Sequence, residues 1–135
     1  MRFLVMVMLS GDSARQYETG FMGEPEDYAT MGEFNQAMAD AGVMLSGDGL
    51  HPTKEGARVA FTDGADPVVV DGPFAESKEI LGGYWIIQTS SREEAVAWAR
   101  KAPMMQGDVL VLRRIMDMDE YTPEQQEAAG FATES

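Results

Sequence analysis

The opening stretch "MRFLVMVMLSG", residues 1–11, decides the fold, because it admits two incompatible readings. Arg2 followed by seven apolar residues at 3–9 has the outline of a secretory leader. That apolar run sits at the short limit for such a segment, and no Ala-x-Ala-like cleavage site follows it. A continuous apolar run of this length is also the mark of a strand buried on both faces. The strand reading predicts a mature protein, expected in the cytoplasm. The absence of cysteine is compatible with a reducing compartment and excludes disulfides, thiolate nucleophiles and Cys-ligated metals. No run approaches the roughly 18 apolar residues that a membrane span needs.

Working outward, the strand leads into "SGDSARQYETGFMGEPED", which reads as a long polar connection with three glycines and a proline. In "YATMGEFNQAMADAG", Met31, Phe34, Met38 and Ala41 fall at i, i+3, i+7 and i+10, one face of a helix. Glu26 and Asp27 suit its first turn and Gly42 its stop. "VMLSGDGLHP" is a strand breaking into a glycine-rich loop, and "ARVAFTDGADPVVVDG" is two β runs around an Asp-Gly turn. "GGYWIIQTS" is a further strand. "SREEAVAWARKAP" is a second helix, with Ser91 and Glu94 as a capping box, Ala95, Trp98, Ala99 and Ala102 as its buried stripe, and Pro103 as its stop. "DVLVLRRIM" is the last strand.

The order β-α-β-(hairpin)-β-α-β predicts an α+β fold, the ferredoxin-like split βαβ sandwich with an extra hairpin strand. Two helices cover one face of such a sheet. The strands at 3–9, 84–87 and 109–112 are nevertheless apolar on both faces, so something must cover the second face. A second copy of the sheet is the simplest candidate, which predicts a homodimer with the sheets face to face. A chain of 135 residues holds one such domain.

Charge narrows the partners. Ten basic against 23 acidic residues leave a net charge of −13, a field that repels phosphate backbones and anionic membrane surfaces. Residues 117–135 hold six acids (Asp117, Asp119, Glu120, Glu124, Glu127 and Glu134) and no base, and read as a solvated acidic tail.

His51 is the only histidine, in "SGDGLHP". An imidazole with its ordinary pKa of about 6.5 moves protons both ways near neutrality, and a loop leaving a strand can project it into a cleft. A lone histidine is more often structural; an orienting carboxylate changes that balance, with Asp48 and Asp71 the candidates in kind. Asp71 closes the run "VVVDGPFAESKE", residues 68–79, where Asp-Gly-Pro is also ordinary turn chemistry. Glu76, Lys78 and Glu79 read first as an exposed charged turn. One histidine among scattered acids has no metal-ligand spacing, so no metal or cofactor is expected. The glycine pairs lack the strand–loop–helix frame of a phosphate loop. The 11 methionines fall mostly at core-like positions, with Met104 and Met105 after a helix end as the exception.

With these residues assembled, the chain resembles the YCII-related family, in its DGPF-type branch. The carrying motif is "DGPFAESKEILGGYWII", residues 71–87, supported by "MRFLVMV", "AGVMLSGDGLHP" and "EEAVAWARKAP"; the likeness covers residues 1–116 and leaves 117–135 as the tail. The resemblance implies a dimeric α/β barrel holding a small-molecule ligand in its cavity. It also implies a histidine–aspartate pair, at positions that match His51 and Asp71. Similar barrels host isomerases, lyases and cofactor-free oxygenases acting on small enolisable or aromatic molecules. The expected function is therefore a cofactor-independent acid–base lyase or isomerase in which His51 moves the proton and Asp71 orients the imidazole. Lys78 would stabilise a developing enolate or phenolate, while Ser46, Phe74 and Trp85 would line the pocket. The alternative is a non-catalytic ligand-sensing or partner-binding module, because related domains occur beside sigma-factor-type regulators.

Overall fold

The structure, a computed structural model, describes residues 1–20, 23–74 and 78–130. In chain order the elements are β1 (Arg2–Ser10), α1 (Gly11–Glu18), α2 (Pro25–Asp40), β2 (Met44–Gly49), β3 (Ala57–Ala60), β4 (Val68–Asp71), β5 (Glu79–Gln88), α3 (Arg92–Ala99), β6 (Val109–Arg114) and α4 (Pro123–Ala129). Short 3-10 turns occupy Thr53–Glu55 and Met118–Glu120.

Four strands form one antiparallel sheet in the order β2-β5-β1-β6. α2 carries the chain from β1 to β2 with β5 lying between them, and α3 carries it from β5 to β6 with β1 between. That is the split βαβ plan expected from the sequence. The hairpin β3-β4 forms a two-stranded sheet of its own, Ala57 opposite Asp71 and Ala60 opposite Val68. Its connection, residues 61–67, is longer than the tight Asp-Gly turn expected, with Gly64 at φ 65° inside it.

Register decides what each face buries. Phe3 lies opposite Ile87 and Val5 opposite Trp85, and all four are buried. Phe34 and Met38 of α2 and Ala95 of α3 pack onto them, so both helices cover the same face. Phe34 meets Trp85 edge to face, with ring centroids 5.5 Å apart. Alternation turns Leu4, Met6, Tyr84, Ile86 and Val111 to the opposite face, where they are only half-buried. The two-faced apolar strands are thus real, and among the described residues their second face is left half-buried.

Three local readings need correction. The segment 11–27 is not an extended connection: it contains α1 and the first turn of α2. Its glycines stand at the helix ends, Gly11 at φ 55°, Gly20 at 89° and Gly23 at 84°, so they punctuate a helix and do not interrupt one. The acidic segment beyond 116 is folded in its described part. Asp117 pairs with Arg2 (3.6 Å) and Arg114 (3.7 Å), and Thr122 caps α4 through its hydroxyl, which accepts from the Gln125 N–H (3.1 Å). Glu134 lies outside the described residues. Finally, the α3 capping box is divided. Ser91 Oγ accepts from the Glu94 N–H, but the Glu94 carboxylate takes the N–H and hydroxyl of Ser90, which hold its carboxyl below the usual range.

Candidate functional site: a cleft between α2 and a glycine floor

α2 crosses a sheet whose surface changes beneath it. Its C-terminal half sets Phe34 and Met38 on Trp85 and Ile87, and the interface there is filled. Tyr28, Met31 and Asn35 of the same helix, at i, i+3 and i+7, form a neighbouring stripe over Gly47, Gly49, Gly82 and Gly83. A helix face above strands without side chains leaves a hollow. The cleft has a volume of about 300 Å³ and is closed by Val7, Leu9, Trp85 and Met104. A second hollow of about 410 Å³ shares Tyr28, Gly49 and Gly82 with it and runs out between Tyr17, Leu50, His51 and Pro52. The two form one slot, with Trp85 in its wall and His51 at its mouth.

The floor glycines are not interchangeable. A Cβ on Gly47 would come within 2.6 Å of the Trp85 ring, so that position must be bare for the indole to seat. A Cβ on Gly49 would meet nothing within 4 Å. Gly49 lies two residues on from Gly47 along β2 and opposite Gly83, hence on the helix side, facing open cleft.

α1 fixes the loop that carries His51. The Tyr17 hydroxyl reaches the carbonyl oxygens of Leu50 (2.5 Å) and His51 (2.6 Å); burial, and then the Glu18 charge, push its pKa up and keep it a neutral donor. Glu18 accepts from the Thr53 N–H (2.9 Å) and from the Thr53 hydroxyl. Thr53 Oγ1 in turn accepts from the Phe74 N–H (3.0 Å), and the Gly72 N–H donates to the Gly56 carbonyl (2.9 Å). The run from Asp71 to Phe74, with a cis Gly72-Pro73 bond, is therefore stitched to the segment that follows His51.

The predicted site residues fall in different places. Trp85 is in the cleft wall, and its indole N–H donates to Asn35 Oδ1 (2.9 Å). His51 is exposed at the mouth. Asp71 is exposed at the end of β4, and no hydrogen bond or ion pair joins it to His51 among the described residues. Phe74 lies under the Arg58 guanidinium (5.1 Å to the ring centroid) and lines a separate hollow with Glu18, Lys54 and Ile80. Ser46 and Asp48 are on the sheet face turned away from the helices, where Asp48 accepts from the Tyr84 hydroxyl (3.0 Å) and raises the Tyr84 pKa through that bond. Lys78 is exposed, and Glu76 lies outside the described residues.

Sequence reading missed Tyr17, Glu18, Asn35 and the bare floor at Gly49. Asn35 carried a usable signal: it stands four residues after Met31, on the inward stripe of a helix already recognised. Tyr17 and Glu18 fall three and four residues after the buried Ala14, a helical spacing hidden by the flanking glycines.

Among the described residues no helix is long and apolar enough to cross a membrane. Part of the chain is similar to an uncharacterised protein of Rhizobium meliloti (strain 1021): 43% identity over 51 residues, 38% of this chain and 40% of that protein. The match spans less than half of that relative's length. A family model, that of the YCII-related domain, matches residues 1–119. That match runs from β1 through β6, the whole of the split βαβ sheet. The chain belongs to the YCII-related family.

Proposed function

We propose that the protein is a cofactor-independent acid–base enzyme, a lyase or isomerase, acting on a small enolisable or aromatic molecule held in the slot beneath α2. His51 takes a proton from carbon or a hydroxyl as neutral imidazole and returns one as imidazolium. Asp71 orients and charge-balances the ring. The observation that carries this reading is the stitching at Thr53. It holds the segment after His51 and the motif beginning at Asp71 in one hydrogen-bonded unit at the mouth of the cleft. The half-buried apolar face of Leu4, Met6, Ile86 and Val111 supports a homodimer pairing through the sheet.

The test is deuterium incorporation at carbon. A panel of small ketones is incubated with the protein in heavy water at neutral pH and followed by proton NMR. The proposal predicts exchange faster than buffer, a loss of about 10²–10⁴-fold in His51→Ala, and an intermediate loss in Asp71→Asn. Full exchange activity in His51→Ala removes the histidine from the chemistry.

A further inference from the structure

We propose that the slot selects small uncharged aromatic carbonyl compounds, and that the Asn35 side-chain amide is the donor that holds their oxygen. This deepens the acid–base reading by naming the ligand class of the same cleft, but it rests on binding geometry alone. An indole N–H can only donate, so the atom of Asn35 facing Trp85 must be Oδ1, at 2.9 Å. That contact fixes the plane of the amide and leaves both Nδ2 hydrogens without a partner among the described residues. Asn35 lines the cleft and is half-buried, so its amide belongs to the wall that a bound molecule would meet.

The surroundings specify the rest of the ligand. Trp85 and Tyr28 offer aromatic surface, Met31 a polarisable thioether, and the glycine floor lets a flat molecule lie close to the backbone. No Lys, Arg or His lines the part of the slot around Trp85 among the described residues, and the chain carries a net charge of −13. A carboxylate or phosphate entering there would lose hydration and gain no counter-charge. A neutral carbonyl loses little, and its oxygen meets a fixed N–H. Such a donor binds more strongly as negative charge grows on that oxygen, which is what proton removal at the neighbouring carbon produces.

The test uses the full chain, labelled with nitrogen-15, and three probes of one shape: acetophenone, ethylbenzene and benzoate. Acetophenone is expected to give saturable shifts of the Asn35 side-chain amide and the Trp85 indole resonances. Ethylbenzene, which lacks the acceptor, should bind about three- to tenfold more weakly, and benzoate should not saturate at all. Asn35→Asp keeps an acceptor for the Trp85 indole and deletes the donor, so it should weaken acetophenone binding at least about three- to tenfold while the indole resonance stays in place. Equal affinity for acetophenone and ethylbenzene, tighter binding of benzoate, or an Asn35 amide that does not move each overturns the inference, whether or not the variant folds. Saturable acetophenone binding by a wild type that shows no carbon exchange overturns the acid–base reading alone; carbon exchange by a wild type that does not bind acetophenone overturns the ligand assignment alone.

Discussion

Replacing Gly72 by alanine should unfasten the unit that holds the mouth of the cleft. An added Cβ would stand 1.7 Å from the Thr53 carbonyl oxygen and 2.6 Å from its carbon, both backbone atoms that no rotamer change can move. The two segments must therefore draw apart by more than an ångström. That separation breaks the bond from the Gly72 N–H to the Gly56 carbonyl (2.9 Å) and the bond from the Phe74 N–H to Thr53 Oγ1 (3.0 Å). Steric overpacking costs about 1–3 kcal/mol. Two hydrogen bonds add about 0.5–1.5 kcal/mol each. Because the segment is partly exposed, the lower part of the sum applies, about 2–4 kcal/mol, a large share of a typical stability of about 5–15 kcal/mol. Urea unfolding followed by circular dichroism gives the difference, and a thermal scan should show a fall of about 8–16 °C. Gly32→Ala is the matched control. Gly32 lies inside α2, and its Cβ would meet nothing within 4 Å. That change should stabilise by about 0.5–1 kcal/mol. A Gly72→Ala protein that unfolds at the wild-type midpoint would refute the clamp.

Two further outcomes follow from the open face of the sheet. The Tyr84 hydroxyl donates to Asp48, and that bond raises its pKa above the ordinary tyrosine value. The bond is complete below the unfolded tyrosine pKa and is lost as pH rises through the raised folded one. Tyrosinate absorbance should show Tyr84 titrating above the ordinary tyrosine value, and Asp48→Asn should bring it down toward that value; an unchanged titration in Asp48→Asn counts against the pair. For the proposed dimer, Ile86→Arg places a charge among Leu4, Met6 and Val111 and should halve the mass measured by sedimentation. A wild-type protein that sediments as a monomer disposes of the sheet-to-sheet pairing.

The fold was legible because its signals are local and periodic. Residues 3–9 are apolar without alternation, Met31, Phe34 and Met38 share a helical stripe, and Ser91 caps α3 as its position suggests. Site geometry is another matter. The cleft exists because a helix face passes over Gly47, Gly49, Gly82 and Gly83, and these come from two strands separated by more than thirty residues. Each glycine alone reads as a turn or a bulge; only their alignment across β2 and β5 makes a floor. The same distance problem hid the bond between Glu18 and Thr53 and the bond between Asn35 and Trp85. His51 and Asp71 could be singled out by residue type, and the motif 71–74 proves to be clamped to the loop that follows His51. The clamp uses Gly72 and Phe74, though, and leaves the Asp71 carboxylate exposed.

The most direct measurement is carbon-exchange activity in Gly49→Val. Gly49, like Gly82, is a floor position shared by both halves of the slot, and a Cβ added at Gly49 would meet nothing within 4 Å, so a valine there puts its methyl groups where a ligand would lie. Melting within a few degrees of the wild type is expected. Deuterium incorporation and acetophenone binding should both fall to background, although neither His51 nor Asp71 has been altered. Wild-type exchange by the plugged and folded protein would place the chemistry outside the slot and contradict the account.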